Sequence, residues 1–322
     1  MTKLEELLSI ITKDHVYIQT HNYPDQDALA SAFGLQTLLK SRGKESTICY
    51  SGQIAKHNTV TMVELLNIDI YNSDEFRMNK KDDIILVDGQ KGNINMMRFE
   101  GKEIACIDHH PVQEVTGYDF CDIRSQMGAC ASIIAEYFID NKVEISRDVA
   151  TALSYGIKMD TANLSRRASH KDIDMFCHLY KLADIEQLRY FENSSLRKDD
   201  LIAYQEAISN LKLYGRLGIA KIGDDCSEAI IGSISDFLLA LNEIDCTLVY
   251  SYRVGGLKFS IRSESNKIDA GKVIKEALKG LGDGGGHSTM AAGFLPNVTN
   301  PRDIKEMAKL VEERVIHLVT KM

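Results

Sequence analysis

The stretch Ile104-Ala105-Cys106-Ile107-Asp108-His109-His110 decides how this chain is read, because four small or apolar residues run directly into an acid and two imidazoles. A strand of Ile, Ala, Cys and Ile has no structural need of three polar side chains in a row. The carboxyl end of a strand is where open α/β sheets build their sites. Partners for the cluster lie elsewhere in the chain. His21, Asp25 and Asp27 follow the strand-like run Val16 to Thr20, Asp88 ends Asp83 to Val87 in the same manner, and Asp160 closes Tyr155 to Met159. In any one segment an Asp or His can simply start the loop after a strand. Four such segments together point to a shared site at one sheet edge.

Several carboxylates at one edge repel and stay partly protonated unless cations offset their charge, which is the logic of a site for two divalent metals. Mixed oxygen and imidazole ligands without a thiolate favour Mn²⁺ first, then Mg²⁺, Fe²⁺ or Co²⁺.

The chain has 322 residues and a formal net charge of −8. That length predicts two domains, and that charge argues against an extended track for duplex nucleic acid, whose binding draws on Lys and Arg neutralising phosphates. A short anionic substrate remains compatible, since bound dications reverse the local sign of an acidic site. No segment is long and apolar enough to span a bilayer, and Met1 to Lys13 reads as an amphipathic helix with Leu4, Leu7, Leu8 and Ile11 on one face rather than as a signal peptide. Seven cysteines without a CxxC pair suit a reducing compartment. The expected location is therefore cytoplasmic, with Cys106 and Cys130 as packing residues.

From residue 14 to about 160, strand-like runs alternate with helical ones: Gln26 to Leu39 and Ala129 to Ile139 helical, Glu45 to Tyr50, Asp83 to Asp88 and Glu103 to Asp108 extended. The alternation predicts an α/β domain with a doubly wound, mostly parallel sheet. Asp172 to Leu213 has helical character and no Gly or Pro, and its end, Leu196 to Leu213, is read as a connecting helix. Beyond it a smaller α/β unit is expected, with strands at Leu217 to Ile222, Cys246 to Val254, Leu257 to Arg262 and Ala291 to Leu295, and helices at Asp269 to Lys279 and Arg302 to Val319. Gly255-Gly256 forms a hairpin turn. The division is thus 1–195, 196–213 and 214–322.

In this order and spacing the residues resemble the DHH phosphoesterases. His21, Asp25 and Asp27 resemble the first motif of that family, Asp88 the second, Asp108-His109-His110 the third and Asp160 the fourth. Gly284-Gly285-Gly286-His287 with Met290 to Phe294 resembles the signature of its associated substrate-binding domain. The resemblance implies one cation held by His21, Asp25 and Asp88 and a second by Asp27, Asp88, His109 and Asp160, with Asp88 bridging. It leaves Asp108 either as a further ligand or as a carboxylate that orients His109 or His110. His110 is expected to face the substrate phosphate as donor or general acid. Glycines let backbone N–H groups approach a phosphate closely, His287 adds a charge-assisted bond, and Arg262 stands where the family carries a substrate-binding arginine. Arg124, Arg166 and Arg167 are further candidates at the cleft, whereas His15, His57, His170 and His178 match no motif. Gln26 occupies a position often held by glycine, and Gln90-Lys91 follow Asp88 where the family sets no firm pattern.

The implied activity is a two-metal phosphohydrolase acting on linear dinucleotides, RNA of a few nucleotides or 3′-phosphoadenosine 5′-phosphate. Alternatives within the class are a cyclic dinucleotide phosphodiesterase, an exopolyphosphatase and an inorganic pyrophosphatase, the last disfavoured by the C-terminal glycine run. A catalytically silent nucleic-acid-binding relative would have lost metal ligands, and none is lost. The partners expected are a short nucleotide or oligonucleotide, neither long duplex nor membrane, and optionally a second copy of the chain.

Overall fold

Ile84 to Val87 and Ile104 to Ile107 are almost fully shielded from solvent, as strands covered by helices on both faces must be. In a computed structural model, residues 1–321 are described except 55, 94, 113–116, 194 and 195. The chain divides into two compact units, residues 1–195 and 196–322.

The first unit comprises, in chain order, α1 (Lys3–Ile10), β1 (His15–Gln19), α2 (Gln26–Ser41), β2 (Glu45–Tyr50), α3 (His57–Leu65), β3 (Ile70–Asn72), β4 (Asp83–Val87), β5 (Lys102–Asp108), β6 (Phe120–Ile123), α4 (Cys130–Asp140), α5 (Arg147–Asp160), α6 (His170–Tyr180) and α7 (Ile185–Asn193). The sheet order is β3-β2-β1-β4-β5-β6 and every pairing is parallel. Chain direction across the sheet reverses between β1 and β4. That is the switch point at which doubly wound sheets open a crevice beyond their carboxyl ends. Leu29, Leu35, Ile134 and Leu153 from α2, α4 and α5 join Ile18, Ile85 and Ile107 of the strands in one fully buried core. Each such side chain contributes roughly 1.5–3 kcal/mol by leaving water. Cys106 and Cys130 are buried and unbridged.

The second unit comprises α8 (Asp200–Asn210), β7 (Lys212–Tyr214), β8 (Leu217–Lys221), α9 (Glu228–Leu239), β9 (Cys246–Arg253), β10 (Gly256–Ser263), α10 (Ala270–Ala277), β11 (Asp283–Gly286), β12 (Met290–Pro296) and α11 (Pro301–Thr320). Its sheet runs β11-β12-β10-β9-β8-β7, antiparallel except where β8 meets β9.

Two expectations are corrected. Leu196 to Leu213 is not one connecting helix: α8 ends at Asn210, and Lys212–Tyr214 pairs with Leu217–Ile219 around Gly215, whose φ of 65° allows the tight reversal. Asp160 ends a helix, not an extended run. Gly284 to Gly286 lie in β11. At Gly286 the small size has a packing reason, since a Cβ there would lie 2.6 Å from the Ala291 Cα, and facing it a Cβ at Gly271 would lie 2.5 Å from the Gly286 carbonyl oxygen.

Candidate metal centre

Strands β1, β4 and β5 end at the switch point, so the residues immediately after them converge there. His21 follows β1, Asp88 follows β4, and Asp108 ends β5 with His109 and His110 behind it. Helices supply the rest. Asp25 caps α2, its Oδ1 accepting from the amides of Asp27 at 3.1 Å and Ala28 at 3.2 Å, so the first motif is at once a helix start and a cluster of acids. Asp160 ends α5, where a carboxylate opposes the helix dipole. That placement costs stability unless something positive sits beside it.

Asp88 lies at the centre. Its backbone adopts φ 58°, uncommon for a residue with a side chain. One carboxylate oxygen, Oδ2, is 3.6 Å from His21 Nε2, and the other, Oδ1, is 3.3 Å from His109 Nε2. Oδ1 is buried and has no hydrogen-bond partner among the described residues. An anionic oxygen in that condition is costly.

Both imidazoles are arranged alike. His21 Nδ1 is 2.8 Å from the Asn22 carbonyl and His109 Nδ1 is 3.3 Å from that of Met127, so each ring is assigned a proton on Nδ1 and presents Nε2 to carboxylates. His109 Nε2 is 3.3 Å from Asp160 and 3.9 Å from Asp27, and His21 Nε2 is 3.9 Å from Asp25. Two groups of potential ligand atoms result, His21 with Asp25 and Asp88, and Asp27 with His109 and Asp160, the atoms of each lying within 4.8 Å of one another. Asp88 faces both groups, one oxygen to each. Carbonyl-anchored imidazoles, oxygen donors and a stranded carboxylate oxygen fit a pair of divalent cations.

The charges confirm the crowding. Burial opposes protonation of His21, but the Asp25 and Asp88 carboxylates outweigh it and push its pKa up to about 10. His109 is likewise driven well above its usual range by Asp88, Asp160 and Asp27 against the cost of burial. Burial, then the neighbouring Asp88 and Asp160 charges, raise Asp27 well above the ordinary carboxylate value. Asp25 is held low, because His21 and Lys56 outweigh its burial.

Asp27 has a second duty. Its Oδ2 accepts from the Cys130 amide at 2.7 Å and its Oδ1 from that of Ala131 at 2.9 Å. Ala129, the residue before α4, has no side chain able to cap that helix, so Asp27 caps it from α2. Gln26, fully buried, donates to Asn58, which donates to Tyr155, a network that accounts for the absence of glycine between the two acids.

Asp108 is wholly buried, and its Oδ1 lies 2.8 Å from His110 Nδ1 while its Oδ2 accepts from Gln90 at 2.7 Å. Those contacts favour an orienting role for Asp108, although its carboxylate also falls within 4.8 Å of Asp88, His109 and His110. His110 keeps part of its ring exposed. Of the sequence candidates, Arg124 is committed to Asp122 and Glu136, and Arg166 and Arg167 lie on the turn after Asp160. The sequence assigns Gln90 no role and does not single out Asp172. Asp172 accepts from Gly128 and Ser169 and so braces the segment that delivers the Met127 carbonyl to His109. In the sequence, the spacing Ser169-x-x-Asp172 marks it only as part of a capping box that starts α6.

In the second unit, Arg262 and His287 lie level with each other on either side of β12. Arg262 pairs across the sheet with Met290, whose carbonyl accepts from the His287 amide at 2.7 Å. The guanidinium is mostly buried, with Nε 2.8 Å from Asp236 and Nη1 donating to Ser260 at 2.9 Å and to the Ile261 carbonyl at 3.1 Å.

Residues 15–157 match the model of the DHH family, N-terminal domain, and residues 214–316 that of the DHHA1 domain. The chain belongs to the DHH family. This DHH chain is 30% identical over 94% of its length to the uncharacterized protein MJ1633 of Methanocaldococcus jannaschii, of which it spans 63%. It is 24% identical over 95% of its length to the cyclic-di-AMP phosphodiesterase GdpP of Bacillus subtilis, of which it spans 49%. Half of the chain is 27% identical to half of the probable bifunctional oligoribonuclease and PAP phosphatase NrnA of Streptococcus mutans. Among solved structures, an exopolyphosphatase-related protein from Bacteroides fragilis shares the fold with a TM-score of 0.77 and 16% identity, over 97% of this chain and 95% of that one. No helix among the described residues is long and apolar enough to cross a bilayer.

Proposed function

We propose that this DHH chain is a phosphohydrolase with two divalent cations, Mn²⁺ foremost, that cleaves linear dinucleotides and RNA of a few nucleotides. The observation that carries the reading is Asp88, which presents one carboxylate oxygen to each of two ligand groups, one of those oxygens buried and without a hydrogen-bond partner among the described residues. Asp88 would bridge, His21 and Asp25 would complete one set, and Asp27, His109 and Asp160 the other. Bound cations would lower the pKa of a water and neutralise charge building on the phosphoryl oxygens of an in-line displacement.

The chain's own groups do the rest. Asp108 fixes the His110 ring through Nδ1, and Nε2 donates to a phosphoryl or leaving oxygen. Arg262, the Gly284–Gly286 backbone and His287 bind substrate phosphate. With a net charge of −8 the chain offers little grip beyond the first few phosphates. A relative that bears the name of an oligoribonuclease and PAP phosphatase supports the linear substrate. The similarity to a cyclic-di-AMP phosphodiesterase extends over more of the chain and favours a second reading, opening of cyclic dinucleotides by the same phosphoryl chemistry.

The test is hydrolysis with Mn²⁺ of linear dinucleotides, cyclic dinucleotides, bisphosphorylated adenosine, polyphosphate and a ladder of labelled RNA. Turnover is expected to peak at about two to five nucleotides and fall with length, as a short electrostatic footprint dictates. Faster degradation of the longest species, or activity confined to polyphosphate, overturns the linear-substrate reading. Preference for the cyclic substrate selects the second.

A further inference from the structure

Gln90 lies two residues beyond Asp88 and is 1% exposed, yet its side chain faces polar groups and not the core. Its Nε2 donates to Asp108 Oδ2 at 2.7 Å and lies 3.3 Å and 3.4 Å from the carbonyl oxygens of His110 and Pro111. One amide therefore links the segment after β4 to the segment after β5. The other oxygen of Asp108 is 2.8 Å from His110 Nδ1 and also accepts from the His109 amide at 2.8 Å.

We propose that Gln90 is a positioning residue: by holding Oδ2 it fixes the plane of the Asp108 carboxylate, so that Oδ1 holds the His110 ring with Nε2 turned to the substrate. The proposal rests on the phosphohydrolase reading of the site.

The residue type suits that task. Lys or Arg here would neutralise Asp108 and weaken its hold on the imidazole, and Glu would repel it. Ser or Asn would not span the distance. A neutral amide supplies the N–H and leaves the carboxylate its full charge for His110. Gln90 is itself immobilised. Its carbonyl accepts from Asn93 at 3.2 Å, the next amide, of Lys91, donates to the Tyr118 hydroxyl at 2.7 Å, and Lys91 Nζ pairs with buried Glu103 at 2.8 Å. These contacts stiffen the turn that carries Gln90.

The test uses Gln90→Met, close in size but without a donor, and Gln90→Glu, which keeps the length and reverses the polarity. Each is made alone and in a His110→Ala background. Loss of a hydrogen bond to a charged group predicts a fall in kcat of roughly ten- to a hundredfold for Gln90→Met, with KM and cation stoichiometry unchanged, and a larger fall for Gln90→Glu. In the His110→Ala background neither change is expected to cost more, because the residue acts only through that ring. A second readout needs no turnover: in the Mg²⁺-loaded protein the hydrogen-bonded His110 Nδ1–H proton gives a downfield resonance, expected to shift upfield and broaden in Gln90→Met. Equal losses of activity in both backgrounds, or an unmoved resonance, overturn the proposal. If the wild-type protein cleaves no phosphoester, the functional reading fails, and the resonance still decides the role of Gln90.

Discussion

The two units gather polar residues at a sheet edge in opposite ways. In the first, every strand is parallel, so His21, Asp88 and Asp108 to His110 reach one edge merely by following β1, β4 and β5. In the second, antiparallel neighbours send successive strand ends to opposite edges, and Arg262 and His287 come level only because the register sets them on either side of Met290. Their electrostatic condition also differs. The first cluster is anionic and strained, with Asp88 Oδ1 unsatisfied among the described residues, whereas Arg262 already has Asp236 beside it. A cluster whose charges are unbalanced calls for cations. One whose charge is matched can at most exchange its partner for a substrate anion.

The sharpest way to break this contrast is Asp88→Ala. Removing the carboxylate that faces both ligand groups should abolish hydrolysis, a loss on the order of a thousandfold or more given the several kcal/mol that cations contribute at such sites. Circular dichroism should be unchanged. Near-normal turnover, or turnover that resists a chelator, would remove the basis for a cation site in the first unit.

Arg262→Ala and His287→Ala probe the other side. Each should lower kcat/KM by roughly ten- to a hundredfold, the worth of one charge-assisted bond, with cation content as in the wild type by elemental analysis. Loss of cations from either variant would mean that the two clusters are not functionally distinct.

A pH series sharpens the comparison further. His21 keeps its proton up to about pH 10 while it faces Asp25 and Asp88 alone, so an entering cation must displace that proton. Affinity for Mn²⁺ should then rise with pH, by about tenfold per unit for each proton released, until the pH passes that value. Calorimetry in buffers of different ionisation enthalpy counts the protons. An affinity flat across neutral pH would contradict the His21 assignment.

The smallest effect expected is on stability. Asp27→Ala removes the cap of α4 and should cost about 1 kcal/mol in denaturant unfolding, measured in the presence of chelator. A midpoint that does not move would show that the Cys130 and Ala131 amides have another acceptor.

Much of the first unit could be read from the sequence, because parallel strands are continuous apolar runs and their polar successors stand out against them. His21, Asp25, Asp27, Asp88, His109 and Asp160 came from that contrast together with a family resemblance. What escaped the reading depends on contacts distant in sequence. That Asp160 arrives on a helix was obscured by the mixed run Tyr155 to Met159, and α9, rich in Ile and Leu, has an apolar content that periodicity does not sort between helix and strand. That the glycine run forms a strand could not be read, because glycine spacing is silent about β-pairing. Gln90 drew notice only as a residue without an expected role, since its meaning lies in an oxygen 18 residues away.

Asp27 clasps the amides of α4 across 103 residues of chain, and so it is fastened by backbone, not by any ion. The cradle is completed as the helices dock. A cation entering beside Asp27 would therefore meet a carboxylate already set in place by the chain, and no refolding would be needed to receive it.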